Sequence, residues 1–319
     1  RGVQIMSRPL KVNAYMKAIP PGNKNPEKPK LLQYFVQGVQ ASGDHAQLIN
    51  TFYHEPSDVG VLQGYVHPGS KHVPHLNLRR DVLAKQKAMG RRTIIADANL
   101  FLAYDPGNKN GYLRYSYDGI FPNTGEYCDS KIDAQRLQTL RNKLGFQVKP
   151  WKTYGDYILI TCQRDGGWSM DGQRVIEWLH LLLQKLKGIT DRTILVRFHP
   201  GDKHTHKHMM QLQAIGHKVK FSSPSVPLVK DLADAYCVIS HNSSPAVVAA
   251  IEGVPIFVLD PDRSQASEVA NKDLRQMENI NREYDRESWL RRLAMMHWTL
   301  DELRTGECWR HMRKWAWTD

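Results

Sequence analysis

The 319-residue sequence has only four cysteines, and Cys128, Cys162, Cys237 and Cys308 are scattered without metal-ligand spacing. They give neither a disulfide framework nor a cysteine zinc site, and a reducing cytoplasm is the expected setting. Long apolar runs are also missing. The best candidate, Val238–Leu259, is broken by Glu252 and Gly253, short of the roughly 18 uninterrupted residues a membrane span needs. The first residues, RGVQIM, lack the apolar centre of a signal peptide, and Met6 is the expected natural start. No internal repeat or low-complexity tract appears. Acidic residues are in deficit, 32 against 44 Lys and Arg, for a net charge of +12. Such an excess favours polyanionic partners, although the charges are scattered, with concentrations at Lys24–Lys30, Arg79–Arg92 and Arg304–Lys314.

What is present is an ordinary globular composition, 41% hydrophobic and 24% charged, over a length that suits two domains of about 150 residues each. In the first half, strands are expected at Leu10–Ile19, Val59–Gly64 and Thr93–Ala96, with helices at Leu31–Ala41 and Arg79–Met89. Tyr104–Tyr127, rich in Gly, Asn, Asp and Tyr, reads as a functional loop. After Lys149-Pro150-Trp151 the pattern restarts. Strands are expected at Tyr157–Thr161, Thr193–Phe198, Lys218–Phe221 and Val238–Leu259, the last being strand, helix and strand. Helices are expected at Asp171–Lys187, Thr205–Ile215 and Val229–Ala235, and through the polar, Trp-bearing segment Arg286–Trp315. Strands alternating with helices imply parallel sheets, and ligands of such sheets sit at strand ends.

Three strand ends carry chemistry. Arg164-Asp165-Gly166-Gly167-Trp168-Ser169 follows the first strand of the second half; glycines let backbone approach a ligand, and Arg164 suits a phosphate. Thr193–Phe198 ends in His199-Pro200, where an imidazole can donate to a phosphate oxygen. Val238–Ser240 ends in His241-Asn242-Ser243-Ser244 at a helix start, where backbone N–H groups favour an anion. The alternating run Lys203–His208 reads as a solvated helix start, with no metal site.

His199-Pro200 followed by Ser243-Ser244 resembles the HP and SS motifs of bacterial sialyl, Kdo and capsule-type transferases of the GT-B fold. The resemblance covers Tyr157–Leu259, and the segment from Arg286 to His311 resembles the tail of phage-encoded glycosyltransferases. It implies an α/β GT-B architecture, two Rossmann-like domains with parallel sheets facing a central cleft. The expected divisions are 6–152 for the acceptor, 153–285 for the nucleotide sugar, and 286–319 as helices packing back toward the first domain. The donor site would comprise Arg164, Gly166, Gly167, Ser169, His199, Pro200, His241, Asn242, Ser243 and Ser244. The family's acidic-acidic-Gly motif has Tyr117-Asp118-Gly119 as its nearest counterpart, so Asp118 is the first candidate base and Asp97, at a strand end, the second.

The resulting expectation is a glycosyltransferase using a nucleotide-diphosphate sugar, UDP-linked by preference, with no metal or other cofactor. Its acceptor is a 5-hydroxymethylpyrimidine in double-stranded phage DNA, flipped from the duplex and gripped by Lys24, Lys28, Lys30, Arg79, Arg80, Arg91 and Arg92. A capsule or lipopolysaccharide glycosyltransferase is the alternative enzyme. A non-catalytic DNA- or nucleotide-binding protein is the alternative of another class.

Overall fold

The computed structural model describes residues 8–22, 27–109, 111–127 and 132–317. Lys24 lies outside them. In chain order the main elements are β1 (Lys11–Tyr15), α1 (Glu27–Ala41), β2 (His45–Ile49), β3 (Val59–Gln63), α2 (Pro74–Ala88), β4 (Arg92–Ala98), β5 (Tyr112–Tyr117) and α3 (Ala134–Leu144). There follow β6 (Tyr157–Thr161), α4 (Val175–Lys187), β7 (Ile194–Arg197), α5 (Thr205–Ala214), β8 (Lys220–Phe221), α6 (Leu228–Ala233), β9 (Ala235–Ser240), α7 (Pro245–Ile251) and β10 (Ile256–Val258). The chain closes with α8 (Arg286–Met296), β11 (His297–Thr299), α9 (Leu300–Arg304) and α10 (Glu307–Met312). Among the described residues, no helix is long and apolar enough to cross a membrane.

Two compact units divide the chain: Arg1–Ile120 with Thr124–Gln138 and Arg291–Asp319, and Phe121–Asn123 with Thr139–Leu290. The division after Gln138 falls ahead of the expected 152, and the segment from Arg291 onward is part of the first unit.

Unit 1 holds a six-stranded sheet in the order β11-β5-β4-β3-β1-β2. β1 to β4 run parallel, β5 pairs antiparallel with β4, and β11 antiparallel with β5. β3, VGVLQ, is buried along its whole length, as a central parallel strand covered on both faces must be. Val12, Ala14, Val59, Val61 and Ile94 face one core with Phe35 and Trp309, while Tyr15 and Leu62 face Leu78 and Val82 on the other side. The reading of Tyr104–Tyr127 as a loop is corrected here. Its centre is β5, with Tyr115 and Tyr117 fully buried, and the polar Gly/Asn flanks concealed a short core strand. The last segment is anchored by Trp309, whose Nε1–H donates to the buried Asp44 carboxylate at 2.7 Å while Arg313 Nε donates to it at 2.8 Å.

Unit 2 is a five-stranded, all-parallel sheet in the order β10-β9-β6-β7-β8. Apolar residues of β6, β7 and β9 pack on Val175, Leu179, Leu182 and Leu186 of α4. That helix shows its apolar residues every three to four positions, so one face is buried. Because all five strands are parallel, their C-terminal ends lie on one edge, which gathers the loops carrying His199, Arg164 and Ser243.

Candidate functional site

On that edge the β6 and β9 loops are locked together. Gln163 Nε2 donates to Asn242 Oδ1 at 2.8 Å, and the Asn242 backbone N–H returns a bond to Gln163 Oε1 at 2.9 Å. Asn242 Nδ2 donates to the Ser169 carbonyl and to Asp260 Oδ2, both at 2.9 Å. Both ends of the Asn242 amide are therefore spent on shaping the loops. The Asn242 side chain thus positions these loops, and the Ser169 carbonyl is engaged with it. Arg263 completes the frame by donating to Asp260 and Asp171, each at 2.6 Å. Gln163, Asp260 and Arg263 were not anticipated. Asp260 directly follows the apolar strand end Phe257-Val258-Leu259, the one signal that pointed to it.

His199 is half-buried, and its Nδ1 accepts from the Gly201 backbone N–H at 2.9 Å. Burial, reinforced by the nearby Arg164 charge, holds its imidazole below the ordinary 6.5. The neutral ring thus carries its proton on Nε2, leaving an N–H donor for a ligand oxygen. Arg164 itself is exposed, and its guanidinium lies so close to Gly201 that a Cβ there would come within 3.0 Å of it. Gly166 and Pro200 are exposed beside them and Gly167 half-buried. Ser243 Oγ lies 2.9 Å from the buried Ser240 Oγ, and Ser244 is exposed. His241 packs edge-on to Trp178 with its Nε2 3.9 Å from Asp260, and burial lowers its pKa. A half-buried imidazole, an exposed guanidinium and two serine hydroxyls, groups able to donate to an anion, thus follow the C-terminal ends of the neighbouring strands β7, β6 and β9.

In the run Lys203–His208, Lys203, His204, His206 and Lys207 are exposed around the start of α5, as expected, and His208 departs. His208 is 1% exposed, not solvated; its ring sits 3.0 Å from Asp202 Oδ2 and 3.7 Å from Asp165 Oδ2. It fastens the start of α5 to the loop after β6. Among the described residues no group of three or more His, Cys, Asp or Glu is placed to hold a metal ion.

In unit 1 the two candidate bases separate. Asp97 lies in β4 next to its C-terminal residue, at the C-terminal edge of the parallel strands, half-buried, with Oδ2 3.2 Å from Arg114. Asp118 follows the antiparallel β5 and so lies at the start of β4, the opposite edge. Its Oδ1 accepts from the Thr93 N–H at 3.0 Å and its Oδ2 from Arg92 Nε at 2.8 Å, and its own backbone is left-handed (φ 64°). Asp118 thus fastens the end of β5 to the start of β4, away from the C-terminal strand ends.

The basic residues expected to grip DNA are largely engaged internally. Arg79, 7% exposed, donates to the carbonyls of Ala18, Gln63 and Tyr65; Gly64 beside it has φ +116°, and a Cβ there would meet the guanidinium at 2.7 Å. Arg80 donates to the Ser70 and Lys71 carbonyls. Arg91 pairs with Asp58 at 2.9 Å, and Arg92 with Asp118 and Glu126. Lys30 is exposed on α1, and Lys28 lies in the same helix.

No family model and no curated protein matches the sequence. Solved structures do. KpsC of Thermosulfurimonas dismutans, a beta Kdo 2,4 transferase, superposes with a TM-score of 0.52 at 11% identity, over 91% of this chain and 90% of that one. The chain has the GT-B fold. The beta Kdo 2,7 transferase KpsC of the same organism matches with a TM-score of 0.49 at 10% identity, over 93% of this chain and 98% of that one.

Proposed function

We propose that the chain is a glycosyltransferase that takes a nucleotide-linked sugar at the C-terminal strand edge of unit 2. The observation that carries this reading is the set His199, Arg164, Ser243 and Ser244 on the edge of a GT-B fold, around loops locked by Gln163 and Asn242. The chemistry required there is neutralisation of a departing phosphate. The His199 Nε2–H and the Arg164 guanidinium supply two charge-assisted or polar donors for it. Asp97 is the proposed base, taking the proton of the acceptor hydroxyl as the new glycosidic bond forms.

For the acceptor, the internal engagement of Arg79, Arg80, Arg91 and Arg92 weighs toward a glycan hydroxyl, as in the capsule-type alternative. The +12 charge supports a second reading, duplex DNA carrying 5-hydroxymethylpyrimidines. Both are tested by incubating the protein with a panel of nucleotide sugars, UDP-linked donors first, and either an oligosaccharide acceptor or hydroxymethylated duplex. Mass spectrometry should show one sugar mass added to one acceptor and free nucleotide released. If no donor loses its sugar with any acceptor or to water, the chain is a binding protein and this reading fails.

A further inference from the structure

The turn that places His199 occurs twice. His199-Pro200-Gly201-Asp202-Lys203-His204 in unit 2 and His67-Pro68-Gly69-Ser70-Lys71-His72 in unit 1 share five of six residues. The match is too short to register as a domain-scale repeat, but the fold gives both copies the same place. One lies just beyond the C-terminal end of β7, ahead of α5; the other lies beyond the C-terminal end of β3, ahead of α2. Both are closed by the same bond, Asp202 N–H to His199 carbonyl and Ser70 N–H to His67 carbonyl, each 2.9 Å. Each turn has a guanidinium beside it: Arg164 lies against Gly201 in unit 2, whereas in unit 1 the counterpart Gly69 is open and Arg80 donates to the Ser70 and Lys71 carbonyls.

The two copies differ in charge. In unit 2 the fourth residue is Asp202, whose carboxylate is turned inward, accepting from the His204 N–H and facing His208. In unit 1 that residue is Ser70, so the six residues carry Lys71 and two imidazoles and no carboxylate. The carbonyls of Gln63, Tyr65, Ser70 and Lys71, which would repel an anion, are all occupied by Arg79 and Arg80. Neither guanidinium forms an ion pair among the described residues, and the carboxylate that acts on Arg79 is Asp97, outside the turn. His75, half-buried at the start of α2, adds a further imidazole. A turn whose Ser70 and Lys71 carbonyls are occupied and whose Lys71 and His72 side chains are exposed is suited to an anionic group.

We infer that the His67–His72 turn is a second anion-binding turn, which takes a phosphate or carboxylate group of the acceptor. This rests on the reading of unit 2 as the donor half. Arg79 and Arg80 are positioning residues for it, His67 packs edge-on to Tyr65 at the start of the turn, and Lys71 and His72 touch the ligand.

Isothermal titration with pyrophosphate tests this without requiring turnover. The parent should bind two pyrophosphates per chain. His67→Ala with Lys71→Ala should weaken one of them at least tenfold, and His199→Ala the other. Lys71→Glu should reproduce the first loss, and unchanged melting temperatures exclude unfolding as its cause. Two sites surviving in both unit 1 variants, or a single parent site abolished by His199→Ala alone, overturns the inference and leaves the donor reading intact. Loss in the unit 1 variants with none in His199→Ala upholds the anion-binding turn but sinks the donor reading, and with it the assignment of that anion to an acceptor. Competition by glucose 6-phosphate or by glucuronate at the unit 1 site then identifies the group as phosphate or carboxylate.

Discussion

His297 makes the stability of unit 1 depend on pH in a way that can be isolated. The ring is fully buried; Nδ1–H donates to the Leu293 carbonyl at 2.7 Å, and Nε2 accepts from the Leu100 N–H at 3.1 Å. Only the neutral tautomer satisfies both bonds, since a proton on Nε2 would face another donor. Burial accordingly drives the pKa down to about 3. The unfolded chain binds this proton near 6.5 and the folded chain only near 3, so the contribution is complete above 6.5 and lost as pH falls. One proton taken up on unfolding costs about 1.4 kcal/mol per pH unit, or about 2 kcal/mol between pH 6.5 and 5, before most carboxylates titrate. Urea unfolding followed by tryptophan fluorescence measures it. His297→Gln should be less stable at pH 7 and show a slope between pH 6.5 and 5 shallower by close to one proton. His75, His199, His217 and His241, also held low by burial, contribute equally to both proteins and cancel. An unchanged slope in the variant would refute the buried neutral imidazole. Because His297 holds the Leu100 amide just beyond Asp97, the variant should also lose turnover.

Asp97→Asn should lower turnover about a hundredfold with donor affinity unchanged, whereas Asp118→Asn should mainly lower stability, by roughly 1–3 kcal/mol, as read by denaturant midpoint. Asp44→Ala leaves the buried Trp309 N–H and Arg313 without their acceptor and should cost about 2–4 kcal/mol, measurable as a lower melting temperature. Duplex DNA binding, measured by fluorescence anisotropy, should be weak even at low salt; tight binding at low salt that falls steeply toward physiological salt would restore the DNA reading.

Much of unit 2 was legible because its strands are short apolar runs closed by Gly or Pro, and Tyr157–Thr161 is observed at the expected residues. Its motif-bearing loops could be placed for the same reason, since a parallel sheet puts every strand end on one edge. Unit 1 was harder. β2, HAQLI, is an edge strand whose residues are half exposed, and β11 is three residues inside a helical pattern. β5 reverses direction after polar loop residues, and that reversal carries Asp118 to the N-terminal edge of the parallel strands while Asp97 stays near the C-terminal edge. Sequence proximity to a Gly could not reveal which edge a carboxylate would reach. Nor could composition show that Arg79 and Arg92, counted as surface charge, are buried and fully bonded.

The central claim, that unit 2 holds a nucleotide-linked sugar at its C-terminal strand edge, is tested most directly by UDP titration monitored by calorimetry. His199→Ala removes the Nε2–H donor, and Ser243→Ala with Ser244→Ala removes two hydroxyls. A lost bond to a charged oxygen is worth roughly 1.5–3 kcal/mol, so each variant should bind at least tenfold more weakly while melting like the parent. Parent-like affinity in both variants would contradict the assignment.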